Sequence, residues 1–123
     1  MLQLTHIISD GELGAVPFII RRRHYTLSAG EAVLTDAKDI PTTGTVHPTA
    51  DADLTLVPEE YRSETLLTFY APVLFSLGVR ADPASFTAPD LILYAGRTFL
   101  VIAVKDWSAF GFSKAIAMEK AEP

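Results

Sequence analysis

Cysteine is absent from the 123 residues. That excludes a disulfide framework, a thiolate zinc site and a thiol nucleophile. Cations are in the minority: ten Lys and Arg stand against fifteen Asp and Glu, for a formal net charge of −5. Such a balance speaks against a general duplex-binding protein, which calls for a basic footprint. It leaves room for a protein that surrounds nucleic acid without gripping it. No apolar run approaches the roughly 20 residues that span a bilayer, so no membrane partner is expected. The first residues, MLQLTHIISDGELG, carry no basic flank and no long apolar stretch. A signal peptide is therefore not expected, and the setting reads as cytosol-like.

Other signatures are missing too. No stretch has the 3.6-residue period of a long helix, and there is no internal repeat or low-complexity tract. Gly11 and Gly14 lie in an acidic segment without the Lys of a phosphate-cradling loop, and there is no GxSxG elbow. His6, His24 and His47 are far apart, with no ligand at helical spacing. Asp51 and Asp53 lack the glycine and distal glutamate of a calcium loop. Glu59 and Glu60 are neighbours on a loop, where adjacent side chains diverge, so they read as surface charge rather than an acid–base pair. On this reading no residue is assigned as catalytic, metal-binding or cofactor-binding, no cofactor is expected, and the chain is not expected to be an enzyme.

What is present is an ordinary globular composition, 49% hydrophobic and 20% charged, with a mean hydropathy of +0.25. At this length the chain is one domain, of a size that buries about two-thirds of its surface on folding. Its densest apolar patterning lies between Asp90 and Met118. Leu91–Tyr94 and Thr98–Lys105 are apolar runs around an Ala95-Gly96 turn. Trp107 and Phe110-Gly111-Phe112 then lead into a third run. This pattern predicts a tight hairpin extended to three antiparallel strands. Thr98–Lys105 is apolar on both faces, with Phe99, Val101 and Ala103 on one and Leu100, Ile102 and Val104 on the other. It must be covered twice, by a local helix, the far wall of a barrel, or another subunit.

Earlier in the chain the spacing predicts a weak strand at Leu4–Ile8, which needs a partner, and a firm one at Val16–Leu27. Ser28–Glu31 reads as a turn, and residues 32–40 as a ragged strand and loop. A short strand follows over Pro41–Val46. Asp51–Tyr61 reads as a loop with one helical turn, and Arg62–Tyr70 as a strand. Ala71–Leu77 has room for a short helical turn, and Gly78–Pro89 for a polar connection. The predicted architecture is mainly β: a small antiparallel barrel or sandwich with at most a short helix. It comprises an N-terminal arm (1–15), one barrel domain (16–119) and a short tail (120–123).

Arg21-Arg22-Arg23 is the densest charge. On a strand it divides between two faces, with stems lying over the core; the sharper reading pairs it with a neighbouring chain's carboxylates or with phosphates. With Phe110 and Phe112 these arginines are the candidate interface. Tyr94, Phe99, Val101 and Trp107 are the expected core anchors.

From VHPTADADLTLVPEEY through the final hairpin, roughly residues 40–119, the chain resembles the small head-closure and head–tail joining proteins of tailed bacteriophages. The matching positions are Pro48, Leu54, Arg62, Tyr70, Asp90, Tyr94, Gly96, Arg97, Thr98, Phe99, Val101, Val104, Asp106 and Trp107. The resemblance implies a structural virion protein of the phage neck, made in the host cytoplasm. It implies a homo-oligomeric ring of six or twelve copies, with a portal or adaptor ring on the head side. A tail terminator or tail tube protein would lie on the tail side, and double-stranded DNA would pass through without sequence recognition. The alternative is a small nucleic-acid- or ligand-binding β-barrel, for which Tyr25 with Arg21 and Arg23 is the one aromatic–basic grouping.

Overall fold

The computed structural model describes residues 15–62, 64–82 and 84–120, without the side chains of residues 80–82. The expected strand at Leu4–Ile8 lies outside them. The described chain is mainly β. Eight strands form one antiparallel sheet: β1 (Val16–Ser28), β2 (Glu31–Pro48), β3 (Leu66–Ala71), β4 (Val79–Asp82), β5 (Ser85–Thr87), β6 (Leu91–Tyr94), β7 (Arg97–Trp107) and β8 (Phe112–Lys120). The only helical pieces among the described residues are short 3-10 turns at Asp51–Leu56, Glu59–Tyr61 and Ser108–Phe110.

The sheet runs β2-β3-β8-β7-β6-β1-β5-β4, and β1 also pairs with β2. Six strands thus form a circuit, a partly closed barrel. Both long hairpins turn through two residues of positive φ, Ala29-Gly30 and Ala95-Gly96. That geometry matches the twist of the flanking strands, and glycine supplies the second position at no steric cost. Gly44 has a different task. It sits where β2 stops pairing with β1 and starts pairing with β3. A Cβ there would collide with the carbonyl oxygen of Tyr70 and press on Phe18.

The barrel interior is filled by Phe18, Ile20, Phe69, Phe75, Ile92, Phe99 and Val101, with Ala71, Ala115 and Ala117 in the narrow places. Phe69 meets Phe18, Tyr94 and Phe99 edge-on, at centroid distances of 5.4, 5.9 and 5.5 Å. Those are favourable aromatic geometries. Residues 72–78 cross one end of the barrel and insert Phe75 as a plug. The Ser113 hydroxyl holds that plug, donating to the Val73 carbonyl and accepting from the Phe75 amide.

The twice-apolar strand β7 finds both its covers within the chain. A β-bulge between Val101 and Ala103 shifts the pairing with β8. Side chains then change sides. Phe99, Val101 and Val104 turn to the interior, while Ala103 and Ile102 join an outer cluster with Val57, Ile116, Tyr61 and Leu66. The strap of residues 51–61 lies over this outer face, and Val57 is only 1% exposed. Lys114 fastens it: its Nζ donates to Asp53 Oδ1 at 2.7 Å and lies 5.7 Å from the Tyr70 ring. A second subunit is therefore not required to cover this strand.

Three further expectations are corrected. Residues 32–40 are not ragged but belong to an unbroken strand, because β1 pairs with them along nearly their whole length. Gly78–Pro89 is not a plain connection, since it carries β4 and β5. Ala71–Leu77 holds no helical turn: Ala71 ends β3, and the irregular stretch after it is the plug.

Candidate interaction surface

β1 and β2 run on past the barrel as an arm. On its far edge β1 pairs with β6 through Ile19–Arg21 and then with β5 through His24–Thr26, and β4 adds outside β5. The result is a four-stranded projection whose residues 21–39 and 79–87, among those described, contribute no side chain to either apolar cluster. Residues 31–39 are all exposed. Val33 and Leu34 are consecutive on a strand and so point to opposite faces, yet they are 48% and 51% exposed. This stretch of β2 thus shows an exposed apolar side chain on each face. Leu27 and Val79 add to this surface.

The three arginines occupy the base of the arm, and the structure gives each a different task. Arg21 points outward and grips Asp39 across the strand pair with two hydrogen bonds, at 2.8 and 3.0 Å. The Arg21 hydrogen bond holds the Asp39 carboxyl below its ordinary range. Arg22 points the other way, toward the plugged end of the barrel. It donates to both Asp90 oxygens, at 3.0 and 2.9 Å, and to the Leu74 carbonyl. Asp90 is fully buried and also accepts from the Ser76 amide at 2.8 Å. The hydrogen bond to Asp90 raises the Arg22 pKa above its already high value. The group therefore stays charged, as a buried carboxylate requires. Arg23 points outward again, donating to the Pro89 carbonyl and the Tyr25 hydroxyl.

Arg22 is thus engaged within the chain, and is removed from the candidate interface. Arg21 and Arg23 remain on the outer face, in a shallow concavity with Tyr25, Leu34, Leu91 and Lys120. Tyr25 stacks on Phe86 there, with centroids 5.3 Å apart. Phe86 is a site residue that sequence reasoning missed. Its only signal was an isolated aromatic in a polar connection.

The aromatic anchors also divide. Phe99 and Val101 are buried, and Tyr94 packs against the core from its edge. Trp107 belongs to neither apolar cluster. It is half-buried, stacks on Phe112 at 6.2 Å, touches Phe110 and lies under the Lys105 ammonium. Its place in the core is corrected to this rim, because β7 has already run beyond the interior when it reaches residue 107. Phe110 is exposed on the 3-10 turn and Phe112 half-buried beside it.

Among the described residues no group of three or more His, Asp or Glu gathers as a metal site. No helix among them is long and apolar enough to cross a membrane. No protein-family model matches the chain, and no curated protein sequence matches it.

Proposed function

We propose that this protein is a structural ring component of the kind its final hairpin resembles, a connector of a tailed-phage neck. Copies close around a central channel through which double-stranded DNA passes. The observation that carries the reading is the arm. Its outer segment, residues 31–39 of β2, is exposed throughout, with Val33 and Leu34 on opposite sides. A sheet that is apolar on both faces is stable between two bodies rather than in water. An arm that contacts a neighbour through a different surface generates a heterologous interface, which closes into a ring when the rotation permits. The net charge of −5 suits a channel wall along which DNA slides, since dense phosphate contacts would hold it. Portal-side and tail-side rings are the partners this reading names.

Native mass spectrometry of the full chain tests it. One closed oligomer, with negative-stain images of rings, is the expected result. A chain that remains monomeric at high micromolar concentration overturns the reading. The second reading, a nucleic-acid-binding barrel, draws on the Tyr25–Phe86 stack beside Arg21, Arg23 and Lys120. Against it, Arg21 is paired with Asp39, and stacking platforms need free aromatic faces. Salt-sensitive binding of a labelled single-stranded oligonucleotide, lost in Tyr25→Ala, would put this second reading first.

A further inference from the structure

We infer that the concavity at the base of the arm receives the acidic strap turn, residues 56–60, of a neighbouring copy. The concavity has a volume of about 540 Å³ and is lined by three cations, Arg21, Arg23 and Lys120, against one carboxylate, Asp39. That is a local excess of positive charge in a chain whose carboxylates outnumber its cations by fifteen to ten. Arg21 is held by Asp39. Arg23 and Lys120 make no salt bridge among the described residues. Tyr25 and Leu34 add apolar surface to the lining. Leu34 and Lys120 are both exposed, so the mouth of the concavity is open.

The strap is its complement. Residues 51–60 carry four carboxylates, Asp51, Asp53, Glu59 and Glu60, and no Lys or Arg. Asp53 is taken by Lys114. Glu59 and Glu60 are exposed on their 3-10 turn and have no salt bridge among the described residues. Leu56 and Pro58 are exposed beside them. The turn thus offers carboxylates with apolar surface, and the concavity offers cations with apolar surface.

The occupant comes from a second copy. No strap residue lines the concavity of its own chain. The strap is also pinned to its own barrel, by buried Val57, by the bond from Lys114 to Asp53, and by Arg62 Nε donating to the Val57 carbonyl. Its turn is therefore held outward in one orientation, which lowers the cost of ordering it on contact. Each copy carries a net charge of −5, so copies repel on average and need local patches of opposite sign to meet. Turn and concavity are different surfaces, so the contact is heterologous and passes from copy to copy. Exposed ion pairs add little affinity; here they fix register and exclude wrong orientations, while the apolar side chains of the arm hold the copies. The inference rests on the ring reading and names the surfaces by which its neighbours recognise each other.

Charge exchange in the full chain tests it. Glu59→Lys with Glu60→Lys reverses the turn. Ala37→Glu with Lys120→Glu reverses the concavity. Ala37 lies opposite Arg23 in the strand pair, so a carboxylate there neutralises Arg23 without removing its hydrogen bonds to Pro89 and Tyr25. All four positions are exposed, and unchanged melting temperatures are expected. In native mass spectrometry each double variant alone should need at least about tenfold more protein to assemble than the parent. An equimolar mixture of the two should assemble as the parent does, because each turn then finds a concavity of opposite sign. Double variants that assemble alone like the parent, or a mixture that stays monomeric, overturn this contact and leave the ring reading in place. A parent chain that is itself monomeric overturns the ring reading and the contact with it. Carbodiimide coupling of isotopically labelled and unlabelled parent chains should join Lys120 of one to Glu59 or Glu60 of the other, identified by mass. A link found only within one chain overturns the neighbour as the source. Binding of a single-stranded oligonucleotide that is abolished by Ala37→Glu with Lys120→Glu overturns the strap as the occupant and assigns the concavity to nucleic acid.

Discussion

The barrel and the arm are built from the same two long strands, yet they differ in almost everything except their hydrogen bonds. In the barrel half of β1, Phe18 and Ile20 are buried among aromatic and aliphatic side chains from the other strands. In the arm half, the ladder between β1 and β2 continues to Ser28 and Glu31 with one bulge, but residues 21–39 belong to neither apolar cluster. Backbone pairing therefore sets the geometry of both regions, and burial stabilises only one. A net hydrogen bond contributes about 1 kcal/mol, whereas a fully buried large apolar side chain contributes about 1.5–3 kcal/mol. The barrel is the folding unit, and the arm opens at lower free energy than the whole.

The boundary between the two regions is where substitution should do most harm. Arg22→Met removes the cation that compensates Asp90 and leaves a buried carboxylate with, among the described residues, the Ser76 amide as the remaining partner of that side chain. Breaking a buried pair from one side costs about 3–5 kcal/mol. Because a quarter of the Arg22 side chain remains in contact with water, the expected loss is near the lower limit. Chemical denaturation should show it in the free chain. Arg22→Met combined with Asp90→Leu should recover much of the loss. If the single variant melts like the parent, Arg22 belongs to the arm's outer surface after all.

The strap gives a smaller effect and one that depends on pH. Burial draws the Lys114 pKa down, but its hydrogen bond to Asp53, with the charges of Tyr70 and Asp53, outweighs this and leaves it raised above 10.5. A lysine whose folded-state pKa is raised contributes stability that is fully present below 10.5 and is lost as pH rises through the folded-state value. Lys114→Met should therefore cost about 1 kcal/mol near neutral pH. The gap between variant and parent should narrow under strongly alkaline conditions. A gap that is constant with pH would mean that the aliphatic stem, not the charge, holds the strap.

The same division explains what the sequence made legible. Leu91–Tyr94 and Thr98–Lys105 were readable because they line the core and flank a two-residue turn. Residues 32–40 were not readable as one continuous strand, because no core selects an alternating pattern there. They are extended because β1 is opposite them, and pairing at that distance leaves no mark in local sequence. β4 and β5 were hidden for the same reason. The bulge after Val101 was also invisible, so the run was rightly read as apolar on both faces, but with Ala103 and Val104 each assigned to the wrong one. Of the residues expected at an interface, Arg21 and Arg23 lie in the outer concavity. Arg22 was misplaced because its partner, Asp90, is 68 positions away.

The smallest effect on stability should come with the largest effect on assembly. Leu34 is half exposed and the whole 31–39 segment is in water, so Leu34→Asp removes little burial and creates no buried charge. Its cost to the free chain should stay within about 0.5 kcal/mol, as for other surface substitutions. In a ring the same side chain would lie against a neighbour, where a carboxylate in an apolar contact is costly. Native mass spectrometry should then show only monomer, with an unchanged melting temperature. Loss of thermal stability without loss of assembly would reverse the comparison, making the arm part of the folding unit and the barrel wall the surface on which copies meet.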